Sequence, residues 1–433
     1  MNEVTVGCLG LVAVLLLFFT GLELPFCMTL VGVVGFAYLI NVKAALHMMA
    51  KDFYDVFVSY GYTVFPIFIF MGQIAFGSGI AKRLYDSAYR FLGHIPGGLA
   101  MATVGGATAF KALCGSAIAT AATFTSVAVP EMDRFNYSKT LSTGVVASVG
   151  TLGCLLPPSV YLIIFGVITE QSIGKLFLAG IIPGIVMAIL FVLTIYGWAK
   201  VSPSLAPAGE RSTWKQRMTS LPEVGVVFAI FMLMIAGLLE GFFTPPEAGS
   251  VGTMAVLLLV VFRRQLGFKE YTKAAKDSMR TACMILMLIG GSAVLGHFIA
   301  VTTIPQLMSE WVTALPIHRN IIMIIICFVY IIGGSFIDDL AFMILATPIF
   351  FPAVLKLGFD PIWFCIMIGI TQMIGIVIPP VASAVFMVHK LSETPLATVY
   401  KGVLPFLISM VFFAVLLFAF PGLALFLPNY LMK

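Results

Sequence analysis

Hydrophobic and polar positions along this chain fall into long alternating blocks. Apolar runs cover 4–21, 24–40, 54–77, 138–169, 176–200, 222–239, 246–262, 278–300, 361–390 and 402–427. Each approaches or exceeds the roughly 20 apolar residues that a helix needs to cross a bilayer's hydrocarbon core. Two further apolar stretches, 97–130 and 317–355, are interrupted near their centres by "CGS" (114–116) and "GGSFIDD" (333–339). Their halves suit half-depth helices, so each stretch reads as a re-entrant hairpin that enters and leaves on one side. The pattern predicts an all-α polytopic membrane protein of ten spans and two hairpins. Two shorter amphipathic stretches, 43–55 and 302–315, read as interfacial arms along the bilayer, with ordinary loops as the alternative.

Composition agrees, with 61% of the 433 residues hydrophobic and 10% charged, against roughly a quarter charged in soluble domains. The net charge of +5 carries no nucleic-acid reading, because the bases sit in a few loops between apolar spans. Those loops are "KRLYDSAYR" (82–90), "AKVSPSLAPAGERSTWKQR" (199–217) and "RRQLGFKEYTKAAKDSMR" (263–280). All three fall on one side, which the positive-inside rule makes cytoplasmic, only if 97–130 is a hairpin. Ten spans then place both termini outside. The start carries Glu3, no basic n-region and no small-residue cleavage signal, so the first span reads as retained. The seven cysteines form no CxxC and read as small buried hydrophobes.

A repeat organises the chain. "GCLLPP" (153–158) and "GIVIPP" (375–380) place Pro157 and Pro379 222 residues apart, and Pro183 and Pro405 share that offset. The hairpin tips "GSAIATAAT" (115–123) and "GSFIDDLAF" (334–342) stand 219 apart. The two units, 1–217 and 218–433, each hold five spans plus a hairpin. Because five is odd, the second unit is inverted relative to the first, an arrangement typical of secondary transporters. Pro-Pro removes two backbone donors and expels the preceding residue from helical geometry. Carbonyls around Gly150–Leu156 and Gly375–Ile378 thereby lose their intrahelical partners. Either a dehydrated cation shared with the Gly-Ser tips takes them up, or the kinks are packed inside protein; the pairing of each break with a tip favours cations.

Charged residues at depth are few. Asp338 and Asp339 follow the second tip, where either can ligate a cation or cap the next half-helix; Asp338 is closer to the Gly-Ser turn. Lys111 precedes the first tip, placed to attract an organic anion or to neutralise a dipole or carboxylate. His297 reads as a polar residue near a span end, with no acidic partner close in sequence. Glu131, Asp133, Arg134 and Lys139 read as a solvated loop. No P-loop, nucleophile–base pair or metal-ligand motif appears, so neither ATP-driven transport by this chain nor an enzyme is indicated.

At these motifs the sequence resembles the large membrane subunit of the tripartite ATP-independent periplasmic (TRAP) transporters, the dicarboxylate-permease M type. The strongest pieces are "CGSAIATAATFTSVAVPEM" (114–132), "GTLGCLLPPSVYLIIFG" (150–166), "GGSFIDDLAFMILATPIFFP" (333–352) and "MIGIVIPPVASAVFMV" (373–388). The resemblance implies an elevator-type, sodium-coupled importer of small organic acids, such as sialic acid or dicarboxylates, in the bacterial inner membrane. It implies two partners: a small four-helix Q membrane subunit and a soluble periplasmic substrate-binding protein. It also implies a mobile unit of hairpins and broken helices moving against a scaffold that includes spans 1–2 and 6–7. Carried over residue by residue, one sodium site joins Gly115 and Ser116 to Thr151, Gly153 and Pro157. The other joins Gly334, Ser335 and Asp338 to Met373, Gly375 and Pro379. The substrate lies between the tips, with Lys111, Ser116, Ser159 and Ser335 as candidate contacts. Two positions depart from the family pattern: Ala117 replaces a common second hydroxyl, and "TQM" (371–373) stands where many members have Asn. The runner-up reading is a stand-alone sodium/divalent-anion symporter without a binding protein; a passive channel ranks below it.

Overall fold

A computed structural model describes residues 2–304, 306–307, 310 and 317–432. Among the described residues the chain has nineteen α-helices and no strand. They begin with α1 (Glu3–Phe19), α2 (Leu24–Leu39), α3 (Val42–Val58), α4 (Val64–Gly77) and α5 (Ile80–Leu92). The first hairpin is α6 (Gly98–Lys111) and α7 (Ala117–Arg134); the first broken helix is α8 (Lys139–Gly150) and α9 (Val160–Ile168). Then come α10 (Ile173–Val201), α11 (Trp214–Leu239), α12 (Pro245–Phe262) and α13 (Phe268–Val301). The second hairpin is α14 (Arg319–Phe336) and α15 (Asp339–Lys356), and the second broken helix is α16 (Pro361–Gly375) and α17 (Ser383–Ser392). The chain closes with α18 (Leu396–Ala419) and α19 (Gly422–Leu431).

Among the described residues, eight helices are long and apolar enough to cross a membrane: α4 with its preceding turn, α10 to α15, and α18. The expected spans 138–169 and 361–390 are each two helices, because both chains of hydrogen bonds stop at Pro-Pro. The span expected at 54–77 starts later, after the turn Tyr60–Thr63, and the one at 402–427 divides at Pro421. The basic stretch 82–90 is helical: Ile80, Ala81, Leu84 and Tyr85 form one buried face of α5, with the charges on the other. Likewise Glu131, Asp133 and Arg134 belong to the last turn of α7, where Lys139 reaches Asp133 at 2.6 Å. The arm expected at 43–55 is α3, opened by an Asn41 cap on Ala44 N at 2.7 Å. Of the arm expected at 302–315, residues 305, 308, 309 and 311–315 lie outside the described residues.

The helices pack in two groups. α2 and α4 lie against α13, α4 against α12, and α1 and α3 against α2. The hairpins and broken helices form the second group, with α7 on α8, α14 on α16, and α8 on α18. α5 touches both groups, packing on α6 and on α11. Its Arg83 reaches Glu223 of α11 at 3.1 Å and Gln265 at 3.1 Å, while Arg263 reaches the same carboxylate at 2.7 Å. One carboxylate between two guanidiniums is a charge-assisted network and stronger than an isolated surface pair.

The deepest elements are the halves that precede the breaks. Every residue of α8 from Leu141 to Gly150 and of α16 from Ile362 to Gly375 is buried. By contrast α1, α2, α10 and α18 present exposed apolar side chains such as Phe19, Val34, Leu193 and Ile408. Irregular backbone at membrane depth is tolerated only inside protein, and this layering supplies that protein. α8 and α18 cross through glycines: a Cβ at Gly402 would overlap the carbonyl oxygen of Thr140, and one at Gly144 the backbone of Gly402. Such small-residue contacts let two backbones approach closely in a membrane. Gly402→Leu is therefore expected to cost about 3 kcal/mol, the upper range for overpacking, read as a lower temperature at which the detergent-solubilised chain loses its monodisperse elution peak.

Candidate functional site

Each hairpin tip is built by a helix that ends and another that is capped. Ser116 caps α7 by accepting from Ala119 N at 3.3 Å, and Asp338 caps α15 by accepting from Leu340 N at 3.2 Å and Ala341 N at 3.4 Å. The tips meet the breaks. At the first, a Cβ on Gly115 would overlap the Pro158 carbonyl oxygen, so the tip backbone lies directly on the Pro-Pro step. At the second, Gly375 lies against Ile331 and Gly334, and Ser335 O accepts from Val381 N at 3.0 Å. Both Pro157–Pro158 and Pro379–Pro380 are cis.

A side chain takes up one of the carbonyls that the prolines release, and hydroxyls near the tips and breaks bond locally. Ser159 Oγ donates to Gly153 O at 2.6 Å and accepts from Leu162 N at 3.4 Å, capping α9 while satisfying a freed carbonyl. Thr151 Oγ1 donates to Ser148 O at 2.7 Å, and Ser335 Oγ to Ile332 O at 2.7 Å. Met373 is wholly buried core. Lys111 is wholly buried too, with Nζ donating to Ser116 O at 2.9 Å.

The two tips share a cavity of about 420 Å³. One wall is the first tip, Cys114 to Ala119, with Gly153 and Cys154 of the first break; another is Asp338, Asp339 and Leu340 of the second tip. Apolar side chains of α4 and α13, among them Phe68 and Met284, face them from the other helix group. Of the four candidate substrate contacts, Ser116 lines this cavity, whereas Lys111, Ser159 and Ser335 do not. Cavity size and mixed polarity fit a small organic molecule.

Three features here depend on the fold. Cys154 Sγ donates to Asp339 Oδ2 at 3.6 Å, tying the first break to the second tip. Gln372 is fully buried beside Gly334, and neither its Oε1 nor its Nε2 has a partner. His297 Nδ1 lies 2.8 Å from Asp52 Oδ2, a partner 245 residues away that joins α13 to α3. Only Gln372 had a sequence signal, as the amide in "TQM" at the position where the resembled family commonly carries Asn.

Residues 11–423 match the family described as "Tripartite ATP-independent periplasmic transporter, DctM component". The C4-dicarboxylate TRAP transporter large permease protein DctM of Pseudomonas aeruginosa is 31% identical over 388 residues, covering 89% of this chain and 90% of that one. The sialic acid TRAP transporter large permease protein SiaM of Vibrio cholerae is 28% identical over 415 residues, covering 95% and 96%. Among solved structures, the Alcanivorax borkumensis YdaH transporter superposes with a TM-score of 0.65 at 13% identity, covering 88% of this chain and 89% of that chain, which is a likeness of fold.

The fit of Gly115 against Pro158 generates a direct test. Gly115→Ala is expected to lift the first tip off the break and lower the uptake rate roughly tenfold or more, the factor for about 1.4 kcal/mol. Equal membrane expression of the variant, with unchanged uptake, would mean that tip and break need not touch.

Proposed function

The chain belongs to the DctM component family of the tripartite ATP-independent periplasmic transporters, and on that footing we propose that it takes up a small organic acid driven by a sodium gradient. The observation that carries the reading is the pairing of each buried helix break with a hairpin tip, both tips opening on one cavity. Backbone carbonyls freed inside protein are ligands suited to a hard, dehydrated cation, which takes oxygen donors. The acid occupies the cavity between the tips, near the capped N-terminus of α7, where helix N–H groups favour a negative charge. The two relatives are named for C4-dicarboxylates and sialic acid, which exemplify the substrate class.

A component of a tripartite system needs two others. A small Q membrane subunit fits the exposed apolar helix faces, and a periplasmic binding protein delivers the acid. The transport step is an elevator movement in which the hairpins and broken helices shift against the group formed by α1, α2, α11 and α12. α5, bonded by Arg83 and Ser87 to α11 while packed on α6, is the link that must flex. Coupling follows because cation and acid bind the mobile unit better together than alone. The same site admits a stand-alone symporter, but membership of a tripartite family supports the reading with partners.

Thermal unfolding in sodium chloride against choline chloride, at equal ionic strength, tests the ion without a known substrate. A site with a dissociation constant of about 10 mM adds about 1.8 kcal/mol at about 200 mM sodium, so the midpoint is expected to rise in sodium alone. Uptake that persists undiminished when choline or potassium replaces sodium would overturn the coupling.

A further inference from the structure

The two breaks are related by the repeat but filled differently. At the first, the Lys111 ammonium donates to Ser116 O at 2.9 Å. It also presses on the break, since a Cβ at Gly153 would lie 2.5 Å from Nζ and 3.0 Å from Ala117 N. The ammonium thus occupies the angle between tip and break, where a free cation would have to sit to touch both. A wholly buried charge costs several kcal/mol unless compensated. Compensation comes from the C-terminal end of α6, where the helix dipole is negative, and from Asp339, a carboxylate within electrostatic reach.

At the second break the corresponding position, 219 residues on, is Tyr330, whose hydroxyl lies 3.2 Å from Thr347 Oγ1. Here the polar group comes from the broken helix instead. Gln372, at the repeat position of Gly150, points Oε1 at Gly334 with no hydrogen-bond partner on either amide atom. A buried amide without partners costs about 1–3 kcal/mol, and an orphaned buried group calls for an explanation such as an ion. The first cage therefore has a fixed cation and a glycine; the second has an unclaimed amide oxygen and no ammonium among the described residues.

We infer that Lys111 is a tethered stand-in for a coupling cation, closing the first cage to sodium and leaving one exchangeable sodium site at Gly334, Ser335 and Gln372. The inference rests on the sodium coupling proposed above and assigns the ion to one of the two breaks. The ammonium travels with the hairpin in both directions, so the first cage draws no energy from the gradient. One sodium ion then accompanies each turnover through these two cages.

Radioactive ²²Na⁺ bound at saturation to the purified full-length chain counts the sites. Wild type is expected to bind one ion per chain, Gln372→Ala to lose roughly tenfold or more in affinity, the factor for about 1.4 kcal/mol, and Lys111→Ala to bind two. Ammonium chloride is expected to compete for the second ion of Lys111→Ala far better than for the single ion of wild type. Two ions per wild-type chain, or a wild-type ion whose affinity survives Gln372→Ala, would overturn the assignment. If Lys111→Ala does not fold, the Gln372→Ala arm decides alone. Wild type that binds no sodium would instead refute the coupling itself, a separate outcome.

Discussion

A carbonyl or amide left unpaired in hydrocarbon costs several kcal/mol, and two Pro-Pro steps create a set of them at the centre of this chain. The rest of the architecture can be read as the response. The half-helices before the breaks, α8 and α16, are buried on every side, so no freed group meets lipid. Gly144 and Gly402 bring α18 against α8, and hairpin tips cap the open ends at Gly115 and Gly334. Ser159 takes the carbonyl of Gly153. Among the buried groups that keep no partner is the Gln372 amide, which lies at the second tip–break junction.

Repetition supplies two junctions of one backbone design, and side chains then set them apart. Lys111 with Gly150 stands in one unit where Tyr330 with Gln372 stands in the other. The polar group at the junction comes from the hairpin in the first unit and from the broken helix in the second, where the Tyr330 hydroxyl is taken by Thr347.

Much of this was legible in the sequence. The hairpins, the breaks and the arm at α3 follow from runs, glycines and prolines, because those signals are local. Helix ends were less legible: Pro421 divides the last apolar run, and α5 hides inside a basic stretch because its apolar face is one stripe among charges. The site was legible as backbone and not as side chains. Which group fills a cage depends on contacts such as Cys154–Asp339, whose partners are 185 residues apart. No spacing rule reaches that far in a single sequence. Lys111 was visible as a charge at depth, yet whether it faced substrate or backbone needed the fold.

On the coupling proposed above, the cavity gives an ion and an acid a reason to travel together. Asp338 and Asp339 line it at one end, and an organic anion entering between the tips would face both in a space of about 420 Å³. Like charges in so small a volume repel strongly, because little water is present to screen them. The α7 N-terminus offsets part of this from the opposite wall. On the one-site proposal, the Lys111 ammonium contributes a constant part, and the variable part falls to a cation at the second tip, the tip that carries the carboxylates. An acid that binds well only after that cation has arrived is, by linkage, an acid that holds the cation in place, and this reciprocity is what makes a gradient in one a force on the other.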